Sequence, residues 1–228
     1  MAKQAKEPPV EIIARALVRR SRSATLATAL TGKREGWPYA SLVTVAFTMD
    51  GAPILLMSKL ADHTRNLMED ARASLLFEEA SHLPNPQTGP RVTLTGRLKT
   101  TRDKNLAARF LARHPGAALY ADFADFDFYK MTVERAHFVG GFGRANWIAA
   151  KKFLLDKEMI RVFESSEPHM IERLTGEKAE ILAQNFGKGW KIVALDPEGF
   201  DLVRGKSFKR FEFDKPVNSW RGLLGKVN

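Results

Sequence analysis

The 228-residue sequence contains no cysteine. This absence excludes a disulfide framework, thiolate catalysis and thiolate metal ligands. We expect no metal site. Long uninterrupted apolar runs are also missing: no stretch approaches the ~20 residues that span a bilayer, and the first residues, MAKQAKEPPVEII, lack the apolar core of a secretory signal. We therefore expect no membrane partner and a cytoplasmic location.

The chain carries a formal net charge of +10. The excess is spread over both halves and forms no polybasic tail. A basic, solvated surface explains it, and so does attraction of an anionic small ligand. The sequence shows no helix-turn-helix, zinc-finger or RNP-like pattern, which disfavours nucleic acid as a partner.

Short strand-like segments dominate the first two thirds of the chain. An amphipathic helix comes first, with Ile12, Ile13, Ala16 and Leu17 on one face. The strand-like segments that follow are ATLATAL (24–30), SLVTVAF (41–47), PILLMS (53–58), ASLLF (73–77) and RVTLTGRL (91–98). Many short strands at hairpin spacing predict a barrel or sandwich.

Helical patterns interrupt these strands at 62–70 and 102–113, and we assign ALYADFADFDFY, 118–129, as a third helical piece. His114 follows the second helix, where an imidazolium would suit the helix dipole, and we interpret it as structural. The carboxylates Asp122, Asp125 and Asp127 alternate with phenylalanines. They either wall a ligand cleft or stay solvated while the rings pack inside.

A second region begins near Asn146. Ser165 to Pro168 has the hydroxyl and proline pattern of a helix start, and the helical pattern continues to Gly187. Three short strands within 190–214 and a final helix from about Ser219 follow. We predict a small α+β unit at 151–228, attached to a first domain at 1–150.

The segment SKLADHTRNL, 58–67, places hydroxyls, cations and an imidazole at a predicted strand-to-helix junction. A phosphate needs such donors together with a helix N-terminus. The alternative is that Asp62 or Thr64 caps the helix while Lys59 and Arg65 face solvent. The segment is not a glycine-rich P-loop.

The order SLVTVAF, DGAPILLMSKLADHTRNL, ASLLF, RVTLTGRL resembles the FMN-binding split-barrel family that includes pyridoxamine 5'-phosphate oxidase. It more closely resembles the branch that contains the HugZ-type haem-utilisation proteins. FVGGFGRANWI (138–148) and GWKIVALDPEGFDLVRG (189–205) are similar to further segments of that branch. The resemblance implies an α+β fold with a six-stranded split β-barrel, a small C-terminal α+β domain, and a homodimer with FMN in the cleft between subunits. Haem is the alternative ligand.

Carried over residue by residue, the resemblance implies that the FMN phosphate and ribityl chain are held by Ser58, Lys59, Thr64, Arg65 and Asn66. Ser41 lies near the position of a phosphate-binding arginine in the oxidase, and that arginine is absent here. The His-rich motif of related small domains is also absent, since its position is occupied by 173–178.

Four further residues have two interpretations each. Arg91 either approaches the flavin ring or is an exposed charge at a strand start. Phe142 and Trp147, beside a glycine-rich turn, either stack on a bound ring system or pack in the core. His63 either ligates haem iron or donates hydrogen bonds to a phosphate or to backbone.

The favoured function is that of a flavin-dependent oxidoreductase of unknown substrate. The first alternative is a haem-binding or haem-degrading protein, and the second is a protein that binds FMN or haem without turnover. The sequence contains no Ser/His/Asp context, HExxH motif or paired-carboxylate signature, and we assign no catalytic residue.

Overall fold

The computed structural model describes residues 7–141 and 143–226. The helices of this part are α1 (Val10–Arg20), α2 (Asp62–Glu69), α3 (Lys104–Arg113), α4 (Ala150–Phe153), α5 (Lys157–Glu164), α6 (Glu167–Glu177), α7 (Ala179–Phe186) and α8 (Trp220–Lys226). The strands are β1 (Ser23–Ala29), β2 (Pro38–Thr44), β3 (Ala46–Phe47), β4 (Pro53–Ser58), β5 (Arg72–Glu78), β6 (Pro90–Thr100), β7 (Phe126–Gly140), β8 (Ala145–Ala149), β9 (Lys191–Asp196), β10 (Gly199–Arg204) and β11 (Ser207–Glu212). No described helix is long and apolar enough to cross a bilayer.

Eight antiparallel strands form one curled sheet in the order β2-β1-β5-β6-β7-β4-β3, and β8 pairs with β7. Helix α1 packs against the concave face, where Ala14, Leu17 and Val18 join the main hydrophobic core. Helix α3 covers another part of the sheet through Leu106 and Phe110. This arrangement is the predicted α+β architecture with a curled antiparallel β-sheet, although the sheet has eight strands where six are predicted.

The strand register explains which residues form this core. Residues paired directly across neighbouring strands point to the same face of a sheet. One such row crosses the barrel and lies on its inner face, and it consists of Ser41, Leu26, Leu75, Leu94, Ala136 and Ile148. Its apolar members are all buried, and Ser41 is half-buried.

The C-terminal unit contains the three-stranded sheet β11-β10-β9 and the helices α5 to α8. The three strands and the last helix lie where the sequence predicts them. The core of this unit includes Phe163, Leu174 and Phe200, and it also includes Met49 from the first part of the chain. The division at residue 150 stays a prediction.

Two local predictions are wrong. The stretch 118–129 is not helical: a 3-10 turn ends at Leu119 and β7 begins at Phe126, because this segment pairs with β4 and β6. The helix start predicted at 165–168 is confirmed, since α6 begins at Glu167, but the hydroxyl cap is wrong because the Ser166 side chain does not cap the helix. Its hydroxyl instead donates to Val162 O and accepts from the indole of Trp220.

Candidate ligand-binding site

The segment 58–67 spans the junction between β4 and α2, as expected. Strand β4 is buried along most of its length and ends at Ser58, and α2 begins after Ala61. Neither Asp62 nor Thr64 caps the helix, since Ala61 occupies the cap position and no side chain bonds there. The capping interpretation is therefore wrong.

Ser58 and Lys59 are bound to the chain entering β7. The Ser58 hydroxyl donates to Asp125 Oδ2 at 2.6 Å. The Lys59 ammonium donates to Ala124 O at 2.9 Å and lies 3.3 Å from Asp127 Oδ2. The carboxylates of the 122–127 stretch thus neutralise this end of the cluster.

Arg65 lies on the exposed side of α2, whereas His63 is half-buried. Arg65 is exposed and forms an ion pair with Asp62 at 3.1 Å. Exposed ion pairs contribute at most about 1 kcal/mol, so this arginine is available to a stronger anionic ligand. Partial burial lowers the pKa of His63, and the nearby Asp62 opposes that shift only in part. The imidazole is therefore mainly neutral at pH 7, the form that ligates metal ions.

Thr64 and Asn66 of the same helix are buried. Asn66 Nδ2 donates to the hydroxyl of Thr28 on β1 at 2.9 Å. The hydroxyls of Thr64 and Ser41 are buried, and neither has a hydrogen-bond partner among the described residues. The cluster is thus divided into an exposed cationic side and a buried side of hydroxyl and amide groups.

A second candidate surface crosses the convex side of the barrel. One register row runs over six strands and points away from the core, and we call it the outer face: Leu42, Thr25, Leu76, Thr93, His137 and Trp147. Leu42 is 79% exposed and Trp147 is 55% exposed. Large apolar side chains aligned on one exposed surface are typical of a binding surface.

Trp147 forms an aromatic and cationic group at one end of the outer face. Its indole stacks on the His137 ring, with centroids 4.5 Å apart and planes 21° from parallel. The Arg135 guanidinium lies 4.5 Å from the indole centroid. Core packing of Trp147 is therefore wrong, while its role in stacking on a ligand stays a prediction. Phe142 lies outside the described residues.

Arg91 lies near the start of β6 and pairs in register with Val139. It therefore points to the same face of the sheet as His137, which is two residues before Val139 on β7. Its guanidinium donates to Gln87 O and Gly89 O, each at 3.3 Å. No carboxylate within the described ranges forms an ion pair with it. Arg91 thus adds a cation beside the aromatic group.

A cavity of about 330 Å³ opens at the other end of the outer face, where α1 meets β1 and β5. Leu42, Leu76 and Thr25 line it together with charged residues of both signs. These are Arg20, Arg22, Glu78 and Glu79. The outer face therefore has a mainly polar cavity at one end and an aromatic group at the other, with arginines near both.

Sequence reasoning did not identify His137, Arg135, Leu42 or Leu76 as candidates. The alternation in MTVERAHFV, 131–139, is a strand signal that places Arg135 and His137 on one face. Their neighbours in the row lie in distant segments, so the set becomes apparent only from the strand register.

Comparison with known proteins identifies the family. Residues 7–155 match the model of the CREG beta-barrel family. The chain is 37% identical over 146 residues to the chloroplastic haem oxygenase HOZ of Arabidopsis thaliana; this covers 63% of this chain and only 44% of that protein.

Two solved structures are similar over nearly the whole chain. A protein of unknown function from Agrobacterium tumefaciens has a TM-score of 0.74 at 26% identity, covering 97% of this chain and 99% of its own. A haem-binding protein from Mycobacterium smegmatis has a TM-score of 0.60 at 28% identity, covering 98% of this chain and 96% of its own. The resemblance to split-barrel proteins is confirmed, and the chain belongs to the CREG beta-barrel family.

Proposed function

We propose that this protein binds haem on the outer face, in a cleft shared with a second copy of itself. The observation that carries the proposal is the similarity over 98% of the chain to the haem-binding protein from M. smegmatis. The similarity to the haem oxygenase HOZ supports the same ligand class, although less than half of that protein is matched.

The residues of the outer face fit this ligand. Haem is a flat apolar ring with two anionic propionates. Trp147, His137 and Leu76 supply aromatic and apolar contacts along one row, and Leu76 and His137 are two strand spacings apart, about 10 Å. Arg91 and Arg135 supply cations for carboxylates.

His63 stays a predicted ligand of haem iron, since its lowered pKa favours the neutral imidazole. Because α2 packs against Thr28 on the inner face, His63 would ligate haem on the outer face of the second copy rather than of its own. When bound, haem would supply the redox and oxygen chemistry, and the chain would orient the ring and pair with its propionates. Turnover would make the protein a haem-degrading enzyme, and binding without turnover would make it a haem carrier or sensor.

Titration with haemin, followed by the Soret band, tests the proposal. Trp147→Ala should weaken haemin binding at least tenfold, because stacking and ring burial are worth about 1.5 kcal/mol or more. Trp37→Ala, at another exposed tryptophan, is the matched control and should not change the affinity. Absence of a Soret shift in the wild-type protein would refute haem binding. Bleaching of the band under a reductant would indicate haem breakdown.

FMN is the second candidate, as cofactor of a flavin-dependent oxidoreductase, and the exposed side of α2 favours it. Lys59 and Arg65 are cations in weak surface pairs, and the buried hydroxyls of Thr64 and Ser41 have no hydrogen-bond partner among the described residues. This donor set fits a phosphate. The flavin would supply the redox chemistry, while the chain would fix its phosphate.

Fluorescence titration with FMN separates the two ligands. Arg65→Ala should weaken FMN binding by about 1.5 to 3 kcal/mol, the value of a hydrogen bond to a charged group. Arg72→Ala is the control, since Arg72 forms a similar exposed pair with Asp70 just beyond the other end of α2. Equal affinity of wild type and Arg65→Ala would exclude the α2 cluster from the FMN site.

A further inference from the structure

Five cations surround the β10–β11 hairpin at one end of the C-terminal sheet. Its two-residue turn, 205–206, lies between Arg204 and Ser207, which pair in register. Lys191 pairs with Val203, one position before Arg204, and Lys188 O accepts a hydrogen bond from the Arg204 guanidinium at 3.4 Å. We call this set the hairpin cluster, and each of its members is exposed: Lys188, Lys191, Arg204, Lys206 and Lys209.

No carboxylate of the described residues forms an ion pair with the hairpin cluster. The acids on or between the three strands each accept hydrogen bonds from arginines outside the cluster: Asp196, Glu198, Asp201 and Glu212. Gly199, at the other end of β10, pairs in register with both Asp196 and Glu212. The hairpin end therefore keeps an uncompensated positive charge after the ion pairs of the sheet are counted.

Trp190 holds two members of the cluster close together. The guanidinium carbon of Arg204 lies 4.9 Å from the Trp190 ring centroid, and Lys209 Nζ lies 5.0 Å from it. These cation–π contacts offset part of the repulsion between the two like charges. Side chains that are fixed before binding lose less conformational entropy when a ligand arrives. The two cations are therefore preorganised for the carboxylates of a ligand.

Arg22 extends this positive surface onto the barrel. Its guanidinium donates to Lys206 O in the hairpin turn at 3.0 Å. Among the described residues, its buried Nε has no hydrogen-bond partner and no carboxylate forms an ion pair with it. Glu78 and Glu79 line the nearby cavity, but Glu78 accepts from two backbone N–H groups and Glu79 binds Arg20. Arg22 and the hairpin cluster thus form one basic surface.

Three classes of anionic partner differ in what they need besides cations. Stable membrane attachment needs an apolar anchor as well as charge, and none of the large apolar side chains of 187–212 is exposed. Single-stranded nucleic acid needs an open aromatic face for its bases, but two cations cover the Trp190 ring. A short acidic protein segment needs only closely spaced cations, and the three strands bring them within about 10 Å of one another across the sheet.

We infer that the hairpin cluster is a docking surface for an acidic segment of a partner protein. Carboxylates of that segment pair with Lys206 at the turn and with Arg204 and Lys209 beside Trp190. The surface belongs to the C-terminal unit rather than to α2 or to the strands that carry Trp147, and it does not depend on haem or FMN.

Fluorescence anisotropy of a fluorescein-labelled decaglutamate, titrated with the full chain at physiological ionic strength, tests this surface. The double variant Lys188→Glu/Lys206→Glu should weaken binding at least about tenfold, because two attractions become repulsions. Lys151→Glu/Lys152→Glu is the matched control, since both lysines are exposed on α4 and the net charge changes equally. Its affinity should stay within about threefold of the wild type. Equal losses in the two variants, or no binding by the wild type, would overturn the proposal.

Two further anions test the class of partner. A decathymidylate of similar charge and vesicles that contain phosphatidylserine are titrated with the wild type and with the same two double variants. The decaglutamate should bind more tightly than either. Tighter binding of the oligonucleotide or the vesicles, lost only in Lys188→Glu/Lys206→Glu, would assign the hairpin cluster to nucleic acid or to membranes and overturn the proposal.

Discussion

His114 shows how one buried side chain sets a pH dependence. Its Nε2 lies 2.8 Å from Val45 O, and burial lowers its pKa to about 4, with Arg113 and Arg22 nearby adding to the effect. The ring is therefore neutral at pH 7, and the expected imidazolium at this helix end is wrong. Desolvation outweighs the helix dipole at this position.

We predict that His114 makes the protein acid-sensitive. Below pH 6.5 the unfolded chain protonates this histidine while the folded chain does not, so its contribution to stability is full above pH 6.5 and is lost as the pH falls towards 4. The loss is about 3 kcal/mol at most. The free energy of unfolding, measured in urea between pH 7 and 4, should fall less steeply in His114→Gln, which keeps a donor for Val45 O.

His169→Gln provides the comparison, since His169 is an exposed histidine. It should follow the wild-type pH profile. If His114→Gln also followed that profile, the buried imidazole would not be the group responsible.

At the residue scale, the sequence identifies the chemistry of the α2 cluster but not its orientation. Successive helical residues are about 100° apart, so Thr64 and Asn66 border a broad buried half of α2 with Leu67 between them, while Arg65 faces solvent. Which face is buried depends on how α2 packs on β1, and that contact brings together residues distant in sequence.

At the element scale, strand alternation predicts most of the barrel, and the errors arise where pairing overrides local pattern. The aromatic and acidic stretch 118–129 has helix-compatible spacing, but its last residues pair with β4 and β6. Long-range pairing of this kind determines strand structure more than local propensity does.

Gly96 is an element-scale position where we expect a large effect on stability. The β6–β7 register shifts between Thr95 and Gly96, and a Cβ at Gly96 would lie 2.1 Å from Thr132 O. Gly96→Ala must therefore displace backbone. It should destabilise the protein by about 1 to 3 kcal/mol or more, lowering the Tm in calorimetry.

At Gly176, the same glycine-to-alanine substitution should have the opposite effect on stability. This glycine lies within α6, and nothing lies within 4 Å of the position of its Cβ. Gly176→Ala should stabilise the protein by about 0.5 to 1 kcal/mol, because alanine loses less entropy in a helix. A similar Tm change in both variants would contradict the steric explanation for Gly96.

At the scale of the whole molecule, the outer face is a surface that sequence analysis could not assemble. Leu42, Leu76, His137 and Trp147 come from four strands, and only the register places them in one row. The predicted homodimer gives this surface an occupant. In a two-fold interface, each exposed leucine would be buried in both subunits, so one substitution changes two buried side chains.

We predict that Leu42→Lys dissociates the dimer. Burial of one leucine contributes about 1.5 to 3 kcal/mol, so two copies of the change should weaken association by about 3 to 6 kcal/mol. Sedimentation velocity should show a dimer for the wild type and a monomer for Leu42→Lys at micromolar concentration. Leu119→Lys is matched in exposure, 81% against 79%, but Leu119 lies after α3, outside the outer-face row, and this variant should stay dimeric.

Haemin titration of the same variants connects assembly to ligand binding. If haem occupies a shared cleft, Leu42→Lys should lose haemin affinity together with the dimer, while Leu119→Lys keeps both. Haemin should also raise the dimer fraction of Leu42→Lys, because a ligand that binds only the assembled form shifts the equilibrium towards it. A monomeric Leu42→Lys that binds haemin with wild-type affinity would instead mean that the haem site lies within one subunit.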